Sequence, residues 1–205
     1  MTLFLRVVLL LILSPLSCTV LAVTLEELQL RFKDQPVVRA QFSQLRQIKG
    51  LAQPLRSRGE LIIARTHGLW WQQQQPFILT LLLDDRRMVQ RIAGQSPQTI
   101  TAESSPQLFQ FNHLLRALLQ ADTVLLAKHF SLDFRDAGAQ RWQLILTPRS
   151  APLNKLFSSI RLQGQTYIDT IILDDSQGDR TEIVFHHQHH QPGILSDDEQ
   201  KRFVF

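Results

Sequence analysis

Cysteine is almost missing from this 205-residue chain: the one thiol is Cys18. It falls within an N-terminal stretch that reads as a removable signal. The rest of the chain is therefore expected to carry no thiol, no disulfide and no cysteine-based metal site. Glycine (8) and proline (9) are too few for a low-complexity or disordered chain. Tyrosine occurs once against twelve phenylalanines. No Gly-x-Ser-x-Gly elbow, Gly-rich phosphate loop or His-Glu-x-x-His motif occurs. The chain is accordingly read as a non-enzyme that needs no cofactor. Long apolar runs are scarce too. Val7–Leu13 is uninterrupted but far short of the ~20 residues that span a bilayer.

That run has a use of its own. Arg6 supplies a positive n-region, Ser14-Pro15 breaks the helix, and Val20-Leu21-Ala22 offers small residues at a cleavage site. Residues 1–22 are expected to be a secretory signal cut after about Ala22, leaving residues 23–205 as one exported domain. A lipidated Cys18 is the alternative. Pro15 and Leu16 ahead of Ser17-Cys18 make a poor lipobox, so cleavage after Ala22 is preferred. Removing Arg6 leaves 21 basic residues against 18 acidic, a net charge of +3. The positives are scattered, and no dense basic run with interleaved aromatics marks a nucleic-acid surface.

The stretch from Gly59 to Gln90 organises the rest. It reads as strands at Gly59–Arg65, Gly68–Gln73 and Phe77–Leu83, with Met88–Ile92 following a polar turn. Alternation along a strand turns Leu61, Ile63, Arg65, Leu69 and Trp71 to one face, an apolar wall holding one guanidinium. A charge on such a wall is costly unless hydrogen-bonded, so Arg65 asks for a partner. Glu60, Ile62, Ala64, Trp70 and Gln72 form the other face, which meets either water or a covering element.

Elsewhere, Thr24-Leu25-Glu26-Glu27 is a capping box that opens a short amphipathic helix ending before Pro36. Val37–Ile48 alternates as a strand with Val38, Ala40 and Phe42 on its buried side. Gly50–Arg58 and Gly94–Pro106 read as loops. A helix over Asn112–Leu119 sets Leu114, Leu115, Leu118 and Leu119 on one stripe, and Asp122 caps a second helix at Val124–His129. Period-two patterning returns from Phe130 through His187, and Ser196–Glu199 repeats the capping box. The total is about nine to eleven strands with helices at three places. This predicts a mainly β (α+β) fold: a curved antiparallel sheet with leucine-rich helices covering it. Such a shape can host an elongated apolar ligand in a cavity of several hundred Å³, or be packed solid.

The run His186-His187-Gln188-His189-His190 is the candidate metal site, since His187 and His189 lie two apart on a strand, and a metal-dependent enzyme using it is an alternative reading of the chain. No second ligand cluster accompanies it, and the preferred reading is a strand end running into a loop, with no metal. Asp84-Asp85 and Asp174-Asp175 sit in turn contexts where aspartate is common.

Several short motifs, in order, carry a likeness. Ala40-Gln41-Phe42-Ser43-Gln44, Gly59-Glu60-Leu61, Arg65 followed by Trp71, Gln75-Pro76 and Leu146-Thr147-Pro148-Arg149 resemble the LolA family of periplasmic lipoprotein carriers. The resemblance implies an incomplete, strongly curved β-barrel of about eleven strands with a helical lid. It further implies an apolar cavity that shields the acyl chains of a lipoprotein or related lipid between inner and outer membrane. The expected partners are that cargo, an inner-membrane release transporter and an outer-membrane acceptor, with the carrier itself a monomer. Phe42, Leu61, Ile63, Leu69 and Trp71 would contact acyl chains. Arg65 matches the family's lid-latching arginine, and Leu114, Leu115 and Leu118 would furnish the lid.

The sequence departs from the family at Arg65-Thr66, at Leu69 and over His186–Phe205, which leaves a glycolipid or polyene-type acyl product as alternative cargo. The sister acceptor LolB is a lipoprotein with an apolar hairpin tip. Here the lipobox is poor and the turn Asp84–Arg87 is polar, so carrier is preferred over acceptor.

Overall fold

The computed structural model describes residues 23–84, 86–101, 103–104, 117 and 122–204. The signal stretch and the lid leucines Leu114, Leu115 and Leu118 lie outside these.

Helix α1 spans Leu25–Lys33. The first run of strands is β1 (Val37–Gln47), β2 (Leu55–Ala64), β3 (Gly68–Gln75), β4 (Leu79–Leu83), β5 (Arg87–Ile92) and β6 (Gln98–Thr101). Helix α2 (Thr123–His129) leads into β7 (Phe130–Gly138) and β8 (Arg141–Pro148). A short helix α3 (Leu153–Leu156) precedes β9 (Phe157–Gly164), β10 (Ile168–Asp175) and β11 (Arg180–His189), and α4 (Asp197–Arg202) follows. All eleven strands form one antiparallel sheet in the order β6-β5-β4-β3-β2-β1-β11-β10-β9-β8-β7. Two meanders thus meet where β1 pairs with β11, and the sheet stays open, with β6 and β7 at its edges. No helix of the described residues is long and apolar enough to cross a membrane.

Strand alternation assigns the two faces. Across the first meander Leu81, Trp71, Leu61 and Ala40 stand in register on one side. In the second, Phe134, Leu144, Leu162 and Ile171 continue that face. These belong to one large apolar cluster with Leu28 of α1 and Leu126 of α2, both fully buried. A smaller cluster on the opposite face joins Val37, Ile62, Ala64, Trp70, Leu82 and Val89 to Leu195 and Phe203.

The eleven strands fall within the expected number, but two stretches read as loop belong to the sheet. β2 begins at Leu55, pairing with Arg46, inside the stretch read as loop. Gln98–Thr101, also read as loop, forms an edge strand against β5. Both stretches are polar or proline-containing, and only their neighbours' free backbone groups make them strands.

Candidate functional site

Phe42, Leu61 and Leu69 are almost wholly buried in the large cluster, and Ile63 and Trp71 pack partly buried against it. Phe42 faces Gly59 across β1–β2, and with no side chain there its ring reaches Trp71, centroids 3.8 Å apart. A Cβ on Gly59 would also collide with the Gln72 carbonyl. The sheet thus brings all five expected wall residues to one face.

Helix α1 covers that wall. Its capping box forms as the sequence predicted, Thr24 accepting from the Glu27 N–H at 3.2 Å and Glu27 from the Thr24 N–H at 3.2 Å. Leu28 is fully buried, and Phe32 meets Trp142 edge-on at 6.1 Å. Trp142 in turn donates from Nε1 to the Gln165 carbonyl at 2.8 Å. Thr24→Ala should remove one cap and cost about 1 kcal/mol, with amide exchange accelerated in α1 before the sheet. Protection unchanged in α1 would show the cap to be unimportant.

Arg65 is not on the wall. β2 ends at Ala64, so Arg65 is exposed in the β2–β3 turn, where alternation no longer fixes its direction. Its guanidinium Nη2 donates to the Lys33 carbonyl at the end of α1, and its backbone N–H donates to the Pro36 carbonyl at 2.9 Å. One residue therefore holds the α1–β1 connection twice.

Between α1 and the sheet a cavity of about 30 Å³ is lined by Phe32, Val38, Ala40, Leu61, Ile63, Ile168 and Phe185, with Gln35, Tyr167 and Gln188 at one side. Among the described residues, Leu25, Leu28 and Phe32 of α1 and Leu125 and Leu126 of α2 pack into the cluster on this face, where burying them is favourable. Gln35 Nε2 reaches the Thr166 carbonyl at 3.5 Å. Tyr167 shares a 2.6 Å hydrogen bond with His190 Nδ1, and burial raises the phenol above its ordinary range. Burial likewise raises the Asp169 carboxyl, partly offset by the Gln188 Nε2 donor at 3.2 Å.

The histidines do not converge. The β1–β11 register shifts between Arg39 and Gln41, and His187 takes a positive φ of 52° there. This bulge undoes the alternation that would set His187 and His189 on one face. His186 bonds Ser43 at 3.0 Å, His189 the His187 carbonyl at 3.0 Å, and His190 the tyrosine. No group of three or more His, Cys, Asp or Glu among the described residues could hold a metal ion. Asp84 accepts from the Arg86 and Arg87 N–H groups at 2.7 and 2.8 Å, and Asp175 from the Gln177 N–H at 2.6 Å, as turn aspartates do.

Two features went unread in the sequence. The first is the covering of the outer face by the tail. Arg39 binds Glu199 through Nε at 2.5 Å and Nη2 at 2.8 Å, and reaches the Pro192 and Ile194 carbonyls at 2.8 and 2.9 Å. Arg202 stacks over Trp70, 4.7 Å from the ring. The Glu60–Trp70 face thus meets a covering element, and the Ser196 capping box was its only local signal. The second is the β3–β4 tip, which exposes Phe77 and Ile78 by about half each (53% and 50%). The polar turn at Asp84–Arg87 lies at the other end of β4, so an apolar tip exists after all.

The described residues thus form an open antiparallel sheet with an apolar face covered by a helix that Arg65 ties. Residues 18–184 match the family described as outer membrane lipoprotein carrier protein LolA-like, and the chain belongs to it. Among solved structures, a Vibrio parahaemolyticus domain described as an outer membrane lipoprotein-sorting protein superposes with a TM-score of 0.50. It shares 11% identity over 86% of this chain and 94% of that one. A LolA superfamily protein from Nitrosomonas europaea gives 0.46 at 10% identity, over 86% and 97%. A DUF1329 family protein from Desulfovibrio piger gives 0.46 at 11% identity, over 84% and 94%. At 11% identity the likeness to the Vibrio domain is one of fold. No curated protein sequence matches the chain.

Proposed function

We propose that the mature chain is a soluble periplasmic carrier that shelters acyl chains of a lipoprotein or related lipid on the concave wall. It would pass them from an inner-membrane release transporter to an outer-membrane acceptor. The observation that carries this reading is the wall itself: Phe42, Leu61, Ile63, Leu69 and Trp71 on one face, beneath a helix tied by Arg65. Family membership supports it. Each methylene moved from water onto that face contributes about 0.8 kcal/mol, so binding needs no chemistry. Cargo enters by displacing α1 and whatever else covers the wall. The Arg65 bonds then set how much of the population is closed.

Arg65→Leu removes a closed-state interaction worth about 1 kcal/mol. A fluorescent fatty-acid analogue should then bind about fivefold more tightly, because less of the protein must be opened first. Release to an acceptor should slow. Affinity and release like wild type would remove Arg65 from the latch. For the carrier reading as a whole, the protein is purified from the periplasm and organic extracts are analysed by mass spectrometry. Co-purifying acyl species support it, and failure to bind any acyl ligand overturns it.

A second reading, an acceptor lipoprotein, is favoured by the apolar tip at Phe77 and Ile78. The same mass spectrum separates the two. An N-terminus at Val23 supports the carrier, and a diacylglyceryl-modified Cys18 the acceptor.

A further inference from the structure

Antiparallel pairing brings the β1–β2 and β3–β4 connections to one end of the sheet, opposite the turn that holds Arg65. They lie side by side there, since Arg58 of β2 pairs with Gln75 of β3. Nine large hydrophobic residues are exposed among the described residues, and four of them cluster at these two connections. Leu51 and Leu55 stand at the first, Phe77 and Ile78 at the second, each about half exposed.

The chain around these four is basic. Lys49, Arg56 and Arg58 are exposed, and residues 44–59 and 71–83 contain no aspartate or glutamate. The acids near this end come from β10, β11 and the turn between them. Arg46 binds Asp179 at 3.3 Å and Arg180 binds Asp174 at 3.5 Å, while Asp175 accepts from the Gln177 N–H. Glu182 shares a groove with Arg56 and Arg58. Positive charge is therefore left in excess.

Apolar tips set among cations fit the interfacial layer of a bilayer, where the tips enter the acyl boundary and lysine and arginine stay at the phosphates. An acidic protein face would answer the cations and leave the apolar side chains without a partner. From this juxtaposition we infer that this end of the sheet docks on an anionic phospholipid surface. Leu51, Leu55, Phe77 and Ile78 enter it, and Lys49, Arg56 and Arg58 hold its phosphates. The inference stands on this end of the sheet and does not depend on the acyl-binding wall.

The test is co-sedimentation with vesicles, either equal parts phosphatidylglycerol and phosphatidylcholine or phosphatidylcholine alone. The mature protein is expected to bind the mixed vesicles about tenfold more tightly at low salt, each cation near such a surface being worth about fivefold. High salt should abolish the difference. Phe77→Ser combined with Ile78→Ser should weaken binding to the mixed vesicles about tenfold. Arg56→Gln combined with Arg58→Gln should remove most of the preference for anionic lipid. All four positions are exposed, and an unchanged melting temperature certifies that each variant is folded. Binding that ignores lipid charge, or that is undiminished in either variant, overturns the inference and points instead to a lipid anchor or to acyl chains entering the wall. Binding to neither vesicle also overturns it and assigns this end to a protein partner. The carrier reading is judged separately, by the acyl species that co-purify.

Discussion

Replacing Trp142 with alanine is expected to lower the unfolding free energy by about 3–5 kcal/mol. The indole is 1% exposed in the middle of the large cluster, so its loss leaves a cavity that neighbouring strands cannot close. Three further contacts go with it. The Gln165 carbonyl loses its donor, Phe32 loses the ring it packs against, and the space beside Gly164 empties. Against a total stability of about 5–15 kcal/mol the variant would be marginal. A melting temperature about 10 °C lower is anticipated for a domain of this size. Because Phe32 belongs to α1, amide protection should fall there as well as in β8. Trp142→Phe keeps most of the area while losing the N–H, and is expected to cost only about 1–2 kcal/mol. An alanine variant melting within two or three degrees of wild type would mean that the ring is not a keystone of this core.

The second large effect concerns the tail. Arg39→Ala removes four hydrogen bonds that hold residues 192–199 on the outer face. The Arg39 guanidinium, through its hydrogen bonds, holds the Glu199 carboxyl down from 4.5 to about 2, against an opposing effect of burial. The pair is shielded on one side and wetted on the other, so a loss of about 2 kcal/mol is expected. Faster amide exchange over 195–203 would report the released tail and the uncovered Ile62, Trp70 and Leu82.

The pH dependence has a definite sign. A carboxyl whose folded pKa is depressed contributes fully above its unfolded value, near pH 4.5, and less as pH falls toward about 2. Wild-type tail protection should therefore weaken over that window. In Glu199→Gln the same interval should be flat in this respect. A wild-type tail equally protected at pH 5 and pH 2.5 would show that the ion pair does not hold it.

Much of the site was legible in residue order because alternation is a local rule. Leu61, Ile63, Leu69 and Trp71 fall on one face wherever β2 and β3 are paired in register, and the structure pairs them so. The Thr24 and Ser196 capping boxes likewise need only four residues each. Arg65 was misplaced where the local rule stopped: one residue past the strand, its direction is set by the turn and by the Lys33 carbonyl. The pairing of His187 with His189 failed for a related reason, since a single inserted residue in β11 is invisible without its partner strand.

By itself, then, the sequence determined the mainly β pattern, the composition of the apolar wall and the two helix caps. Each depends on neighbours a few residues away. Tertiary structure alone decided the sheet order that joins β1 to β11, the packing of α1 and α2 on the apolar face, and the tail clasped by Arg39 across 160 residues. Those outcomes depend on which distant groups are left to satisfy one another once the local elements have formed, and no local pattern encodes that.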